Sequence, residues 1–181
     1  MTKRTGEKVV FKGRRFIFKE LNIQSDNDKN VRKKYKYEII ETKNAVVIVP
    51  IDKDNNVYFI NEYCAAFDQY MLVLPKGGID NEEDPKTAAN RELQEEIGMK
   101  ALKLEFLAEF TIAPGYIKSL TSSYLATNLV KSKLEGDEIE VPQIFKYPLN
   151  KFEDLIKTNK LSEARIISAL YLARNLVKIL Y

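Results

Sequence analysis

The residues best equipped for chemistry sit in one short run. Residues 77–99 read GGIDNEEDPKTAANRELQEEIGM, and Glu92, Glu95 and Glu96 fall at i, i+3 and i+4. On a helix these positions share one face. Like charges so placed repel, at a cost of about a few tenths of a kcal/mol per pair. A divalent cation reverses that sign, because three carboxylates offer the hard oxygen ligands such ions take. A solvated acidic face is the other reading, and for a bare E-x-x-E-E it is the commoner one.

Composition narrows the chemistry further. The 181-residue chain has no histidine and one cysteine, Cys64. Ser-His and Cys-His nucleophiles, histidine bases and histidine metal ligands are therefore excluded. So are a disulfide within the chain and a thiolate zinc site. Catalysis must rest on carboxylates, Lys, Arg, Tyr, hydroxyls or a metal held by oxygen, which suits Mg²⁺ or Mn²⁺. The net charge of +3 is small, with 45% hydrophobic and 30% charged residues. Such values are ordinary for a globular protein and do not require a polyanionic partner. The basic N-terminus lacks the apolar core of a signal peptide. No apolar run approaches the roughly 20 residues of a membrane span. A reducing cytoplasm is the expected location.

The elements that must carry the carboxylates are legible around them. Asp84-Pro85 predicts a helix start, with Asp as cap and Pro in the first turn. The helix should run from Pro85 to Ile97, bury Ala89, Leu93 and Ile97, and end in a left-handed Gly98. Gly77-Gly78 permits unusual backbone angles. Strands are expected over 45–50, 57–63, 70–74, 102–112, 120–130 and 139–147. A turn falls at Ala113-Pro-Gly-Tyr116. A short helix is expected over 151–158, and Ser162 should cap a final helix that buries Ile166, Leu170, Ala173 and Val177. Upstream, 9–23 reads as a hairpin turning near Gly13, 24–34 as a polar loop and 35–41 as a third strand. That sheet is too small to stand alone. Strands mixed with three helices make an α/β or α+β domain.

Gly77, Glu83, Arg91, Glu92, Leu93, Glu95, Glu96, Gly98 and Met99 match the whole Nudix box: Gly, five residues, Glu, seven residues, then Arg-Glu-aliphatic-x-Glu-Glu-x-Gly-aliphatic. Nine constrained positions favour the cation over the solvated face. The chain resembles the Nudix hydrolase superfamily. "AANREL", "APGYIKS", "LEGDE" and "SEARIISALYL" further resemble the bacterial NudE-type ADP-compound hydrolases and ADP-ribose pyrophosphatases. The fold implied is α/β: a Nudix α/β/α sandwich with a mixed sheet, plus a small antiparallel N-terminal β-sheet. Residues 1–43 are expected to form an N-terminal subdomain for dimerisation and the substrate pocket, and 44–181 the hydrolase domain.

The resemblance implies metal-dependent hydrolysis of the pyrophosphate linkage in ADP-ribose, NADH or diadenosine polyphosphates, releasing AMP. Two or three Mg²⁺ or Mn²⁺ ions would be held by Glu92, Glu95, Glu96 and a backbone carbonyl of Lys76 or Gly77. Glu83 and Arg91 would form a structural ion pair, with Arg91 pointing away from its neighbour Glu92. Glu138, from the loop group Glu135, Asp137 and Glu138, is the favoured base, and Glu95 and Glu96 are the other catalytic candidates. Pro114, fifteen residues beyond Met99, and Tyr116, at seventeen, are candidate substrate contacts together with Ser119 and Glu62. An ordinary turn explains Pro114-Gly115 equally simply. Asn61 stands near where an arginine is often found in the ADP-ribose group. Phe16, Phe18 and Tyr35 read as core, with adenine stacking as the alternative. The expected partners are a nucleoside-diphosphate small molecule and a second copy of the chain, with no membrane and no nucleic acid. The alternatives are a house-cleaning hydrolase of other nucleotides or dinucleoside tetraphosphates, and an RNA decapping-type enzyme.

Overall fold

The computed structural model describes residues 1–26, 32–136 and 142–180. The chain forms two compact units, Met1–Asn44 with Thr111–Leu120, and Ala45–Phe110 with Thr121–Tyr181.

The first unit is a four-stranded sheet. Strands β1 (Thr2–Lys12), β2 (Ile17–Asp26) and β3 (Arg32–Glu41) pair antiparallel in sequence order. The hairpin closes through Gly13, whose N–H donates to the Phe16 carbonyl at 2.8 Å. The strands are longer than the sequence reading allowed. β1 starts at Thr2, and the ends of β2 and β3 take up much of the expected 24–34 loop. The fourth strand comes from far along the chain. β9 (Ile117–Lys118) adds parallel to β3, with Ile40 opposite Ile117. The Ala113 carbonyl accepts from the Tyr116 N–H at 3.0 Å, so the expected turn is there, but it delivers the chain into this sheet. None of the described residues of this unit is fully buried.

The second unit holds the core. Its central sheet runs β7 (Lys76–Gly78), β4 (Ala45–Pro50), β10 (Thr121–Lys131), β8 (Met99–Phe110). β4 and β10 are parallel and the other pairs antiparallel. Val46, Val47, Ile48 and Val49 are all buried, so β4 is covered on both faces, as a continuous apolar run requires. Helix α1 (Pro85–Ile97) packs on β4, β7 and β8, and α3 (Ala164–Leu180) on β4, β8 and β10. A second sheet orders β11 (Gln143–Pro148), β5 (Asn56–Cys64) and β6 (Gln69–Val73). A single 3-10 turn (Leu149–Lys151) and short α2 (Glu153–Lys157) stand where one helix was expected over 151–158.

Local signals set α1. The Asp84 carboxylate accepts from the N–H groups of Lys86 (2.9 Å) and Thr87 (3.2 Å), and Gly98 ends the helix at φ 66°. α3 starts one residue later than Ser162 predicts. The Glu163 carbonyl takes the first helical bond, from Ile167, and its carboxylate accepts the Arg165 N–H at 3.2 Å. Ile166, Leu170, Ala173 and Val177 are buried, as the periodicity requires. Among the described residues no helix is long and apolar enough to cross a membrane.

Candidate active site

The acidic stripe of α1 faces inward. Glu92 and Glu96 are buried at 7% and 4% exposure, unusual for carboxylates. The helix is fastened at this angle by Asn90, whose amide donates to the Ala101 carbonyl (3.1 Å) and accepts its N–H (2.8 Å). Sequence reasoning missed Asn90. The signal for it was a polar residue beside the buried stripe, which must find a partner.

Arg91 gathers the charges. Its Nε and Nη2 hold both oxygens of Glu83 at 3.0 Å, a two-pronged pair, and Nη2 also donates to the Gly78 carbonyl at 2.9 Å. The Glu83 carboxylate in turn accepts the Asp80 N–H at 3.1 Å, which ties the loop before α1 to the helix. Contrary to the sequence reading, Arg91 also reaches Glu92: Nη1 donates to Glu92 at 2.7 Å and to Glu95 at 3.0 Å. The hydrogen bond from Arg91 holds the Glu83 carboxyl below its ordinary range.

Glu96 is the contrasting member. Its Oε2 accepts the Lys76 N–H at 3.0 Å. Burial pushes its carboxyl up to about 9, with the Lys76 charge opposing that rise. Gly77, next in the chain, has no positive φ; among the described residues Gly98 is the glycine that does. A β-carbon at Gly77 would overlap the Glu92 carboxylate, so any side chain there would displace that carboxylate from its present position.

The donor set suits a hard divalent ion. It offers carboxylates on one face, backed by a main chain with no side chain in the way, and one buried acid is short of counter-charge. As the side chains stand, no three acidic or thiol groups among the described residues converge on one point. Glu92 and Glu95 are turned to Arg91 and Glu96 to the Lys76 main chain.

The other sequence candidates lie elsewhere. Glu62, on β5, is ion-paired with the Lys76 ammonium. Pro114, Tyr116 and Ser119 belong to the first unit and line a cavity of about 710 Å³ there, together with Arg4, Leu21 and Tyr37. That volume is typical of a small-molecule site. The Ser119 hydroxyl donates to the Lys43 carbonyl at 2.8 Å. Phe16, Phe18 and Tyr35 are not core residues: they are 47%, 41% and 45% exposed. Glu138, with Asp137, lies outside the described residues.

A second unit of two sheets and three helices, with Glu92 and Glu96 buried on α1 beside the Gly77-Gly78 strand, has the features of a Nudix hydrolase. The family profile of the NUDIX domain matches residues 41–170, so the chain belongs to that family and is a pyrophosphohydrolase. It is similar to the ADP compounds hydrolase NudE of Escherichia coli strain K12, 37% identical over 94% of this chain and 90% of the relative. It is 25% identical to the ADP-ribose pyrophosphatase of Bacillus subtilis strain 168, over 91% of this chain and 90% of that one. A crystal structure of an ADP compounds hydrolase superposes with a TM-score of 0.85 at 35% identity, covering 98% of this chain and 94% of that chain. Nudix hydrolases generally use divalent metal ions.

Proposed function

We propose that the protein hydrolyses the pyrophosphate linkage of ADP-containing compounds, ADP-ribose, NADH and diadenosine polyphosphates among them, releasing AMP. The observation that carries this reading is the buried Glu92–Glu96 pair on α1 beside the Lys76-Gly77 main chain. The likeness to NudE of Escherichia coli, over nearly the full length of both chains, supports the ADP-containing substrate.

Glu92, Glu95 and Glu96, with the Gly77 carbonyl, would hold two or three Mg²⁺ or Mn²⁺ ions. When bound, the ions supply positive charge to the diphosphate oxygens and acidify the attacking water. Arg91 holds Glu83 and the Gly78 carbonyl, and so keeps the end of β7 and the loop after it fixed beside the helix. Glu95 and Glu138 compete for the role of proton acceptor, with Glu138 favoured. The pH–rate profiles of Glu95→Gln and Glu138→Gln separate them, since only loss of the base removes the acidic limb.

The cavity of the first unit is lined by Tyr37, Tyr116 and Leu21, aromatic and apolar groups of the kind that bind a purine ring. Val9, Val10, Phe11 and Phe18 expose apolar surface on the strands of that unit, and they support a homodimer. The deciding experiment incubates the protein and Mg²⁺ with ADP-ribose, NADH and diadenosine triphosphate. AMP is the expected product, and no AMP from any of the three sinks the proposal.

A further inference from the structure

Lys76 has two acidic neighbours and one ammonium. Its main chain is fixed, because β7 pairs with β4 with Lys76 opposite Val47. From there its N–H binds the Glu96 carboxylate at 3.0 Å, while its Nζ pairs with Glu62 on β5. Lys76 and Glu62 both lie within electrostatic reach of Glu96. The Lys76 and Glu62 side chains are 20% and 29% exposed, so the pair is only partly screened by water. A lysine stem is flexible, and its point charge settles on whichever carboxylate holds it best.

We infer that Glu62 is a positioning residue: it holds the Lys76 ammonium away from Glu96 and so leaves that carboxylate to a divalent ion. The inference rests on the reading of Glu92 and Glu96 as metal ligands. Without Glu62, Glu96 becomes the acidic partner at hand for Lys76. An arriving cation must then displace an ammonium from its own ligand, and affinity falls by the strength of that pair. On this account Glu62 does not touch substrate.

The test measures binding of Mn²⁺ alone to the full chain, by electron paramagnetic resonance of the unbound ion, with thermal melts to confirm folding. Glu62→Gln is expected to raise the Kd about tenfold. Adding Lys76→Met to that variant removes the competing charge and should bring the Kd back to within about twofold of the unaltered protein. Lys76→Met alone keeps the main-chain N–H and should bind Mn²⁺ at least as tightly as the unaltered chain. This variant carries the test by itself if Glu62→Gln does not fold. The inference is overturned by an unchanged Kd in Glu62→Gln. It is equally overturned if the double variant stays as weak as the single one, since Glu62 would then contact the ion itself. A weakened Lys76→Met overturns it too. If the unaltered protein binds no Mn²⁺, or Glu96→Gln leaves its Kd unchanged, the ligand reading fails and this inference with it.

Discussion

The two units of the chain solve the same problem in opposite ways. In the second, Val46 to Val49, Phe59, Leu93, Leu170 and Phe152 are packed out of water, and two carboxylates are buried among them. In the first, strands as long as 11 residues leave Val10, Phe11 and Tyr37 at 63%, 59% and 50% exposure. A buried carboxylate is costly unless the surrounding structure is rigid enough to hold its partners. An exposed apolar sheet is costly unless something covers it. The dense unit therefore suits metal chemistry, and the open one suits binding.

The sharpest break of this comparison is at Glu96. Glu96→Gln should lower kcat by about a thousandfold or more, as expected when a group acting at a metal is lost. It should leave the metal-free melting temperature unchanged or raised, because the amide mimics the neutral acid that burial favours. AMP release and a thermal melt read both, and a large fall in melting temperature would make Glu96 a structural residue instead. Next comes the packing itself. Leu93→Ala should cost about 2–5 kcal/mol in urea melts, as for a fully buried leucine. Leu21→Ala, in the open sheet, should cost about 1 kcal/mol or less. Equal costs would mean that Leu21 is covered in solution, and light scattering on both variants would show whether a second copy covers it.

Smaller effects sharpen the contrast. Tyr116→Ala should raise KM for ADP-ribose about tenfold and change kcat by less than about threefold, because it removes binding and leaves the chemistry in place. A matching fall in kcat would place Tyr116 in the catalytic machinery. A separate readout is a pH dependence. Folding lifts the Glu96 carboxyl from its ordinary 4.5 to about 9. The folded state then keeps a proton that the unfolded chain releases. This contribution to stability is full below 4.5 and is lost as pH rises through 9. Metal-free melts should decline across that window, and saturating Mg²⁺ should offset the decline increasingly as pH rises, since ligation requires the ionised acid. The same slope in Glu96→Gln would assign the effect to another group.

Much of the site was legible without coordinates. Asp84, Pro85 and Gly98 announce a helix by local chemistry, and α1 spans the residues they bracket. The apolar run of β4 and the period of α3 likewise gave their burial. The misses have a common cause. Arg91 reaching Glu92 depends on how its side chain bends back to a neighbour in the middle of α1, which helix spacing does not encode. Phe16 and Phe18 read as core because aromatic residues favour strands, yet a strand pattern cannot say whether a covering layer exists. Gly77 was read for backbone freedom, whereas its φ is not positive and the Glu92 carboxylate lies where a side chain would go.

What the sequence alone determined is the box helix, its caps, the shared face of Glu92, Glu95 and Glu96, and the exclusion of histidine chemistry. These follow from spacings of a few residues and from composition, so no distant contact is needed to read them. The tertiary structure alone decided that Thr111–Leu120 joins the sheet of the first 44 residues. It also decided that Lys76 stands between Glu62 and Glu96. Those pairings join segments far apart along the chain. They are fixed by strand register and side-chain packing, which local periodicity does not encode.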